Sequence, residues 1–194
     1  MIKKIQIELS LFSLLLATIL FTYKVDVWVY NFFSNINYGY GSTYLRKFFV
    51  GITDIGDSLW YFLIFVLIFL FSYLARKKNF ITLEKYFFLR GFVFFGFVYL
   101  LLVGVVTQVL KHIIGRPRPN HTLFDGSFEF SFFSTESALH SFPSGHSSTI
   151  VAIAILVALI VPSLKYFFYI FGGVIALSRV VVGAHFFSDV LAGA

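Results

Sequence analysis

Five long apolar runs constrain this chain more than any other feature. They occupy residues 8–23, 58–75, 86–110, 146–161 and 166–184, and a sixth starts near Phe186 and meets the chain end at Ala194. A helix needs about 20 apolar residues to cross a hydrocarbon core ~30 Å thick. In lipid the backbone must satisfy its own hydrogen bonds, which favours helices for runs of this length. The expected fold is therefore all-α: a polytopic membrane bundle of six transmembrane helices, the sixth truncated at the C-terminus.

Composition agrees. Of 194 residues, 59% are hydrophobic and 12% charged, and Phe alone occurs 28 times. A soluble domain carries about 25% charged residues, so most of this surface is expected to face lipid. There is no cysteine, which excludes disulfides, thiolate metal sites and cysteine nucleophiles. The formal charge is +6. Its basic residues are scattered among apolar runs, which points to lipid headgroups and a phosphate site, with no nucleic-acid partner. Neither a repeat nor a low-complexity linker interrupts the chain, so one domain over 1–194 is expected. Lys3 and Lys4 ahead of the Leu9–Tyr23 run resemble a signal peptide, but Lys24, Val25 and Asp26 follow with no small-residue cleavage site. An uncleaved first helix is expected.

Lys and Arg set an orientation. Lys3, Lys4, Arg76, Lys77, Lys78, Lys85 and Lys165 fall on one side, taken as cytoplasmic; Lys24, Arg46 and Lys47 fall on the other. Segments 24–57 and 111–145 then face outward. Within 24–57, Val25, Trp28, Val29, Phe32, Phe33 and Ile36 recur at helical spacing, with Asp26, Asn31 and Asn35 opposite. This predicts a helix lying in the membrane interface, either as a lid over the bundle or as part of a substrate site. Leu45, Phe48, Phe49 and Ile52 repeat the pattern. Tyr38, Tyr40, Tyr44, Trp60 and Tyr61 suit an aromatic belt.

Three polar stretches collect at that outer side. The first is GVVTQVLKHIIGRPRPNH, Gly104 to His121. Gly104, Thr107, Gln108 and Lys111 share one helix face, and polar residues on membrane helices point into the bundle. Arg116 and Arg118 follow, stiffened by Pro117 and Pro119. Arg116 is open to two readings, a second phosphate or a headgroup. Cationic headgroup anchors would sit on the inner side and would gain from flexibility, and this cluster has neither property. The second stretch is FPSGHSS. Ser144 is a candidate N-cap, Gly145 permits a tight turn, and His146 sits on the first turn of the next helix. A helix start offers free N–H groups to an anion, though the same residues also make an ordinary cap. The third is SRVVVGAHFFSD, Ser178 to Asp189. Arg179 is an ionisable group at the end of an apolar span. His185 and Asp189 are four apart and touch if one helix runs through both. The carboxylate would then fix the tautomer of His185 and leave its other nitrogen free to attack. Zinc is the competing reading for a His–Asp pair, and the positive charge of Lys111, Arg118 and Arg179 disfavours it. His112, His121 and His140 read as ordinary loop residues.

Together these groups suit a phosphoryl transition state, whose charge spreads over three oxygens. Lys111 with Arg118-Pro119, then Pro143-Ser144-Gly145-His146, then Ser178-Arg179 with Gly183, His185 and Asp189, resembles the tripartite signature of the type 2 phosphatidic acid phosphatase superfamily. The resemblance covers 111–189; residues 1–110 share only the hydrophobic layout. It implies His185 as nucleophile forming a phosphohistidine, Asp189 as its orienting partner and His146 as the acid for the leaving group. It implies Lys111, Arg118, Ser144, Gly145 and Arg179 as phosphate ligands, with no metal and no cofactor. The stretch from Phe124 to His146 also resembles the loop of bacterial lipid A phosphatases. The expected function is a lipid phosphatase of the bacterial inner membrane with a periplasmic site, acting on lipid A or, alternatively, on undecaprenyl pyrophosphate or phosphatidylglycerophosphate. Two other classes compete: an anionic-lipid transporter, whose site belongs near the midplane at broken helices, and a headgroup-binding protein, which needs neither histidine.

Overall fold

A computed structural model describes residues 22–35, 43–121 and 129–194. Within them the chain is helical and no strand forms. Most of the first expected span, 8–23, lies outside the described residues, as do Tyr38, Tyr40 and the loop 122–128.

Helix α1 covers 22–35 and α2 covers Thr43–Thr53, where the amphipathic spacing places them. Helix α3, Ser58–Lys77, starts on Asp57, whose carboxylate accepts the N–H of Leu59. Arg76 and Lys77 occupy its last turn, where positive charge complements the helix dipole. Helix α4 runs from Leu83 to Ile114. Thr82 caps it, Glu84 lies in its first turn, and Gly115 ends it at φ 58. That left-handed turn suits glycine, and a side chain there would strike the backbone of Ser131. At 1.5 Å per residue, 32 residues span ~48 Å, longer than the hydrocarbon core. One end of α4 must therefore stand clear of the core.

Helix α5, Gly145–Ile160, is the buried centre and packs against α3, α4, α6 and α7. A helix apolar on all sides is a core helix. One cluster joins α5 to α3 and α4 through Phe65, Val93, Leu100, Ala152 and Leu156. A second joins it to α6 and α7 through Ile150, Ile175, Ala176, Val180 and Val190. Small residues permit the close approach: a Cβ at Gly172 would come within 3.3 Å of Ala154. By contrast, only 17% and 22% of the apolar windows of α3 and α4 are buried. Their outer faces carry Leu59, Leu63, Leu67, Phe94, Leu102 and Val106 in the open, which only lipid would cover. Among the described residues three helices, Ser58–Lys77, Leu83–Ile114 and Pro162–Val181, are long and apolar enough to cross a membrane, and the chain is a membrane protein.

Two local features bear on the site. Helix α6, Lys165–Val181, does not continue into α7, Phe187–Gly193. Gly183 turns the chain at φ 74, so His185 sits in a connection and not on a helix. Asp26 does not face water from the polar side of α1. It is 1% exposed, because a buried arginine meets it.

Candidate active site

The end of α4, the turn before α3, the start of α5 and the end of α6 meet at one end of the bundle. They enclose a cavity of about 660 Å³. Gly104, Thr107, Gln108, Lys111, Arg118, Gly145, His146, Arg179 and His185 all line it. The three polar stretches thus converge, although up to 81 residues of chain separate their members. Charged residues of the α3–α4 turn, Arg76 to Lys85, lie at the opposite end of those helices.

Each cation is held by a particular neighbour. Lys111 is buried and donates from Nζ to the carbonyl of His140 at 2.8 Å. Arg179 donates from Nη1 to Thr53 Oγ1 at 3.1 Å, and Ser178 donates to the same hydroxyl at 2.9 Å. Arg118 is anchored by its backbone, its N–H bonding the carbonyl of Ala138 at 3.0 Å. The Nε atoms of Arg118 and Arg179 are buried without a hydrogen-bond partner. An unsatisfied buried donor is costly, and an anion in the cavity would satisfy both. Ser144 is fully buried and caps α5, accepting from Ser147 N at 3.4 Å and from Ser147 Oγ at 2.9 Å. Its own N–H bonds the carbonyl of Asp189 at 2.9 Å, which ties the start of α5 to α7. His146 is pressed by the turn before α3: a Cβ on Gly56 would lie 3.1 Å from that of His146.

His185 and Asp189 do meet, with Nδ1 3.6 Å from Oδ2. Asp189 is fully buried. Its Oδ2 accepts from Ser141 Oγ at 2.5 Å and from the N–H of Phe186 at 2.9 Å, while Oδ1 accepts from Arg116 Nη1 at 2.5 Å. The His185 ring is pushed down to about pKa 4 by burial, against the raising effect of Asp189, with Lys111 and Arg179 adding to the depression. It is therefore neutral at pH 7, the form a nucleophile requires.

Arg116 stands behind this pair and does not line the cavity. It bridges Asp189 to Asp26, with Nη2 2.7 Å from Asp26 Oδ2, and it donates to Ser188 Oγ at 2.7 Å. Its plane lies over the Phe186 ring, 4.5 Å from the centroid. Neither earlier reading, phosphate or headgroup, describes these partners. Ser188 bonds Asp26 through both its N–H and its hydroxyl. Sequence reasoning missed Asp26, Thr53, Ser141 and Ser188. A carboxylate on an apolar-faced helix could have flagged Asp26; nothing in the pattern flags the other three. His140 is more than a loop residue, since its carbonyl holds Lys111 and its ring bonds Ser134 O. Among the described residues no group of three or more His, Asp or Glu side chains is placed to hold a metal.

Fold and site together define a helical membrane protein whose bundle mouth carries a cationic cavity lined by a histidine that a buried carboxylate backs. Residues 91–194 match the PAP2 superfamily, and the chain belongs to it. It is 35% identical over 147 residues to a protein named lipid A 1-phosphatase in Rhizobium johnstonii, covering 73% of this chain and 59% of that one. The same name and identity recur in Rhizobium etli, over 144 residues and 62% of that protein. The chain thus spans about three fifths of the length of these relatives. Among solved structures, the transmembrane PAP2-type phosphatidylglycerolphosphate phosphatase of Bacillus subtilis is 26% identical with a TM-score of 0.59, covering 96% of this chain and 87% of that one. LpxE of Aquifex aeolicus shares the fold, with a TM-score of 0.57 at 24% identity, over 84% of this chain and 86% of that one.

Proposed function

We propose that this protein is an integral membrane lipid phosphatase, one domain over 1–194, that removes a phosphate through a phosphohistidine on His185. The carrying observation is the cavity itself: a buried neutral imidazole opens into it among Lys111, Arg118 and Arg179. Nδ1 of His185 is turned toward Asp189, which leaves Nε2 to attack phosphorus. As the N–P bond forms, the P–O bond to the lipid breaks and His146, its pKa lowered to about 4 by burial and by Arg179 but protonated once the anionic phosphate is bound beside it, gives its proton to the departing oxygen. Water, losing a proton to His146, then displaces phosphate from His185. Lys111, Arg118, Arg179 and the N–H of Gly145 at the start of α5 hold the phosphoryl oxygens throughout, while Ser144, whose N–H is taken by the Asp189 carbonyl, caps that helix. The three cations supply charge that a divalent metal would bring, so no metal or cofactor is assigned.

Lipid A 1-phosphate is the favoured substrate, because both curated relatives carry that activity in their names. Phosphatidylglycerophosphate is the second reading, favoured by the structural neighbour that covers most of this chain. A lipid in either case fits the cavity's reach along α4 from Lys111 to Leu100 and across to Phe62. That is ~16 Å of helix descending from charge to apolar side chains. The Lys and Arg asymmetry supports a periplasmic site in the inner membrane, since the cavity lies at the end away from Arg76, Lys77 and Lys78. Transport is disfavoured because the charges sit at helix ends. Phosphate release from purified lipid A, phosphatidylglycerophosphate and undecaprenyl pyrophosphate in detergent micelles tests the reading. Release from one of these that survives EDTA and stops with vanadate is the expected result. Turnover confined to short soluble phosphates would overturn the lipid claim, and rescue of EDTA-treated enzyme by one divalent ion would overturn metal independence.

A further inference from the structure

Ser141 lies three residues before Ser144, outside the three motifs, and is 0% exposed. Its hydroxyl reaches two atoms at once: Asp189 Oδ2 at 2.5 Å and His185 Nδ1 at 3.4 Å. The hydroxyl is thus nearer to the ring nitrogen than the carboxylate is, at 3.6 Å. Its position is fixed from the backbone, where the Ser141 N–H bonds the carbonyl of Arg116 at 2.9 Å.

The direction of these bonds follows from what each group can do. Asp189 is ionised against Arg116 and can only accept. A hydroxyl has one proton, so Ser141 must give it to Asp189. Toward His185 the hydroxyl then has only a lone pair to offer. The ring nitrogen facing it must carry a proton, and the other nitrogen must carry the free lone pair. Asp189 Oδ2 already receives Ser141 and Phe186 N–H, so it is poorly placed to hold the ring alone.

We infer that Ser141 is a positioning residue that sets the Nδ1–H tautomer of His185, making the orienting unit His185–Ser141–Asp189 and not a bare pair. This rests on His185 being the nucleophile proposed above. Ser141 never touches the phosphate, so its loss leaves substrate binding alone and lowers the fraction of His185 with a lone pair aimed into the cavity.

The experiment uses the full chain in nanodiscs, labelled with nitrogen-15 at histidine, with His185 assigned by its absence in His185→Gln. In the wild-type protein at neutral pH, His185 should show a protonated Nδ1 and an unprotonated Nε2. Ser141→Ala should mix the two tautomers and reduce kcat by about 10- to 100-fold, the size found for hydrogen-bond partners that orient metal-ligating imidazoles, with KM changed less than about twofold. Ser141→Thr keeps the hydroxyl and should restore both readouts toward wild type, which a simple packing defect would not allow. A wild-type ring protonated at Nε2 would overturn the inference. So would an unchanged tautomer and kcat in Ser141→Ala. Should Ser141→Ala fail to fold, the wild-type tautomer and the Ser141→Cys kcat decide, because a thiol is a poorer donor and acceptor and should lower kcat. The Nδ1–H tautomer in a protein that forms no phosphohistidine would sink the phosphatase reading and leave the tautomer assignment standing.

Discussion

Arg116 and Arg118 stand two residues apart in the same proline-stiffened turn and end up in opposite situations. Arg116 is 7% exposed and pairs with two carboxylates, Asp26 of α1 and Asp189 of α7. Arg118 lines the cavity and has no such carboxylate partner among the described residues. Residue type and local chain are alike, so the difference comes from elsewhere: two carboxylates, 163 positions apart in sequence, arrive behind the turn, whereas the carboxylate on the cavity wall, Asp57, caps α3. The back wall is neutralised and rigid, while the front wall keeps an unspent positive charge. A site for an anion needs both, since the same carboxylates in front would compete with the substrate.

Exchanging the roles is the strongest way to break that contrast. Arg116→Ala leaves Asp26 and Asp189 buried without their counterion, and removing one partner from a buried pair costs about 3–5 kcal/mol. Thermal unfolding of the detergent-solubilised protein should shift accordingly, and an unchanged midpoint would show that the back wall bears no such load. Arg118→Ala should do the reverse. Its expected loss is ~10²- to 10³-fold in kcat/KM, the size of one oxyanion donor, with stability within about 0.5 kcal/mol of wild type. Equal behaviour of the two variants in both assays would erase the distinction.

Asp26→Asn sharpens the contrast further out. It keeps the shape of the side chain and weakens the bonds from Arg116 and Ser188. A loss of about 1–3 kcal/mol is expected, smaller than for Arg116→Ala because Asp189 still pairs with the guanidinium. Denaturation compared across the two variants measures this, and a loss as large as that of Arg116→Ala would mean that Asp26 carries the pair alone.

Acid gives the mildest perturbation. His185 is lowered from 6.5 to about 4, so between those values the unfolded chain binds the proton that the folded chain refuses. Stability from this residue is full above about pH 6.5 and declines as pH falls toward 4. Asp189 opposes the depression, and Lys111 and Arg179 reinforce it. The slope of stability against pH in that window should flatten in His185→Gln, whereas an identical slope would mean that His185 keeps an ordinary proton affinity.

Much of this was legible in the sequence, and the limits are instructive. The runs at 58–75, 86–110, 146–161 and 166–184 became α3 to α6 with ends shifted by a few residues, because apolar length decides a helix in lipid. The polar face of Gly104, Thr107, Gln108 and Lys111 lines the cavity as its period required. The His185–Asp189 contact was anticipated on condition that one helix ran through both, and it forms although Gly183 turns the chain and His185 lies ahead of α7. Asp26 was placed on the polar side of α1, but a helical wheel shows which residues share a side and not what covers that side. Ser141 and Thr53 were invisible: a single hydroxyl in a loop has no periodicity, and its partners are decided only when distant helices meet.

The central claim is that His185 carries the phosphoryl group. Protein in nanodiscs, given a lipid labelled with phosphorus-32 on the scissile phosphate and quenched in alkali within one turnover, tests it most directly. The expected result is an acid-labile, alkali-stable label that maps to the peptide holding His185. It should form more slowly in His146→Ala, where the departing oxygen lacks its proton donor, and vanish in His185→Ala, whose turnover should fall by ~10⁴-fold or more. Sustained phosphate release with no protein-bound label, or a label that survives His185→Ala, would contradict it.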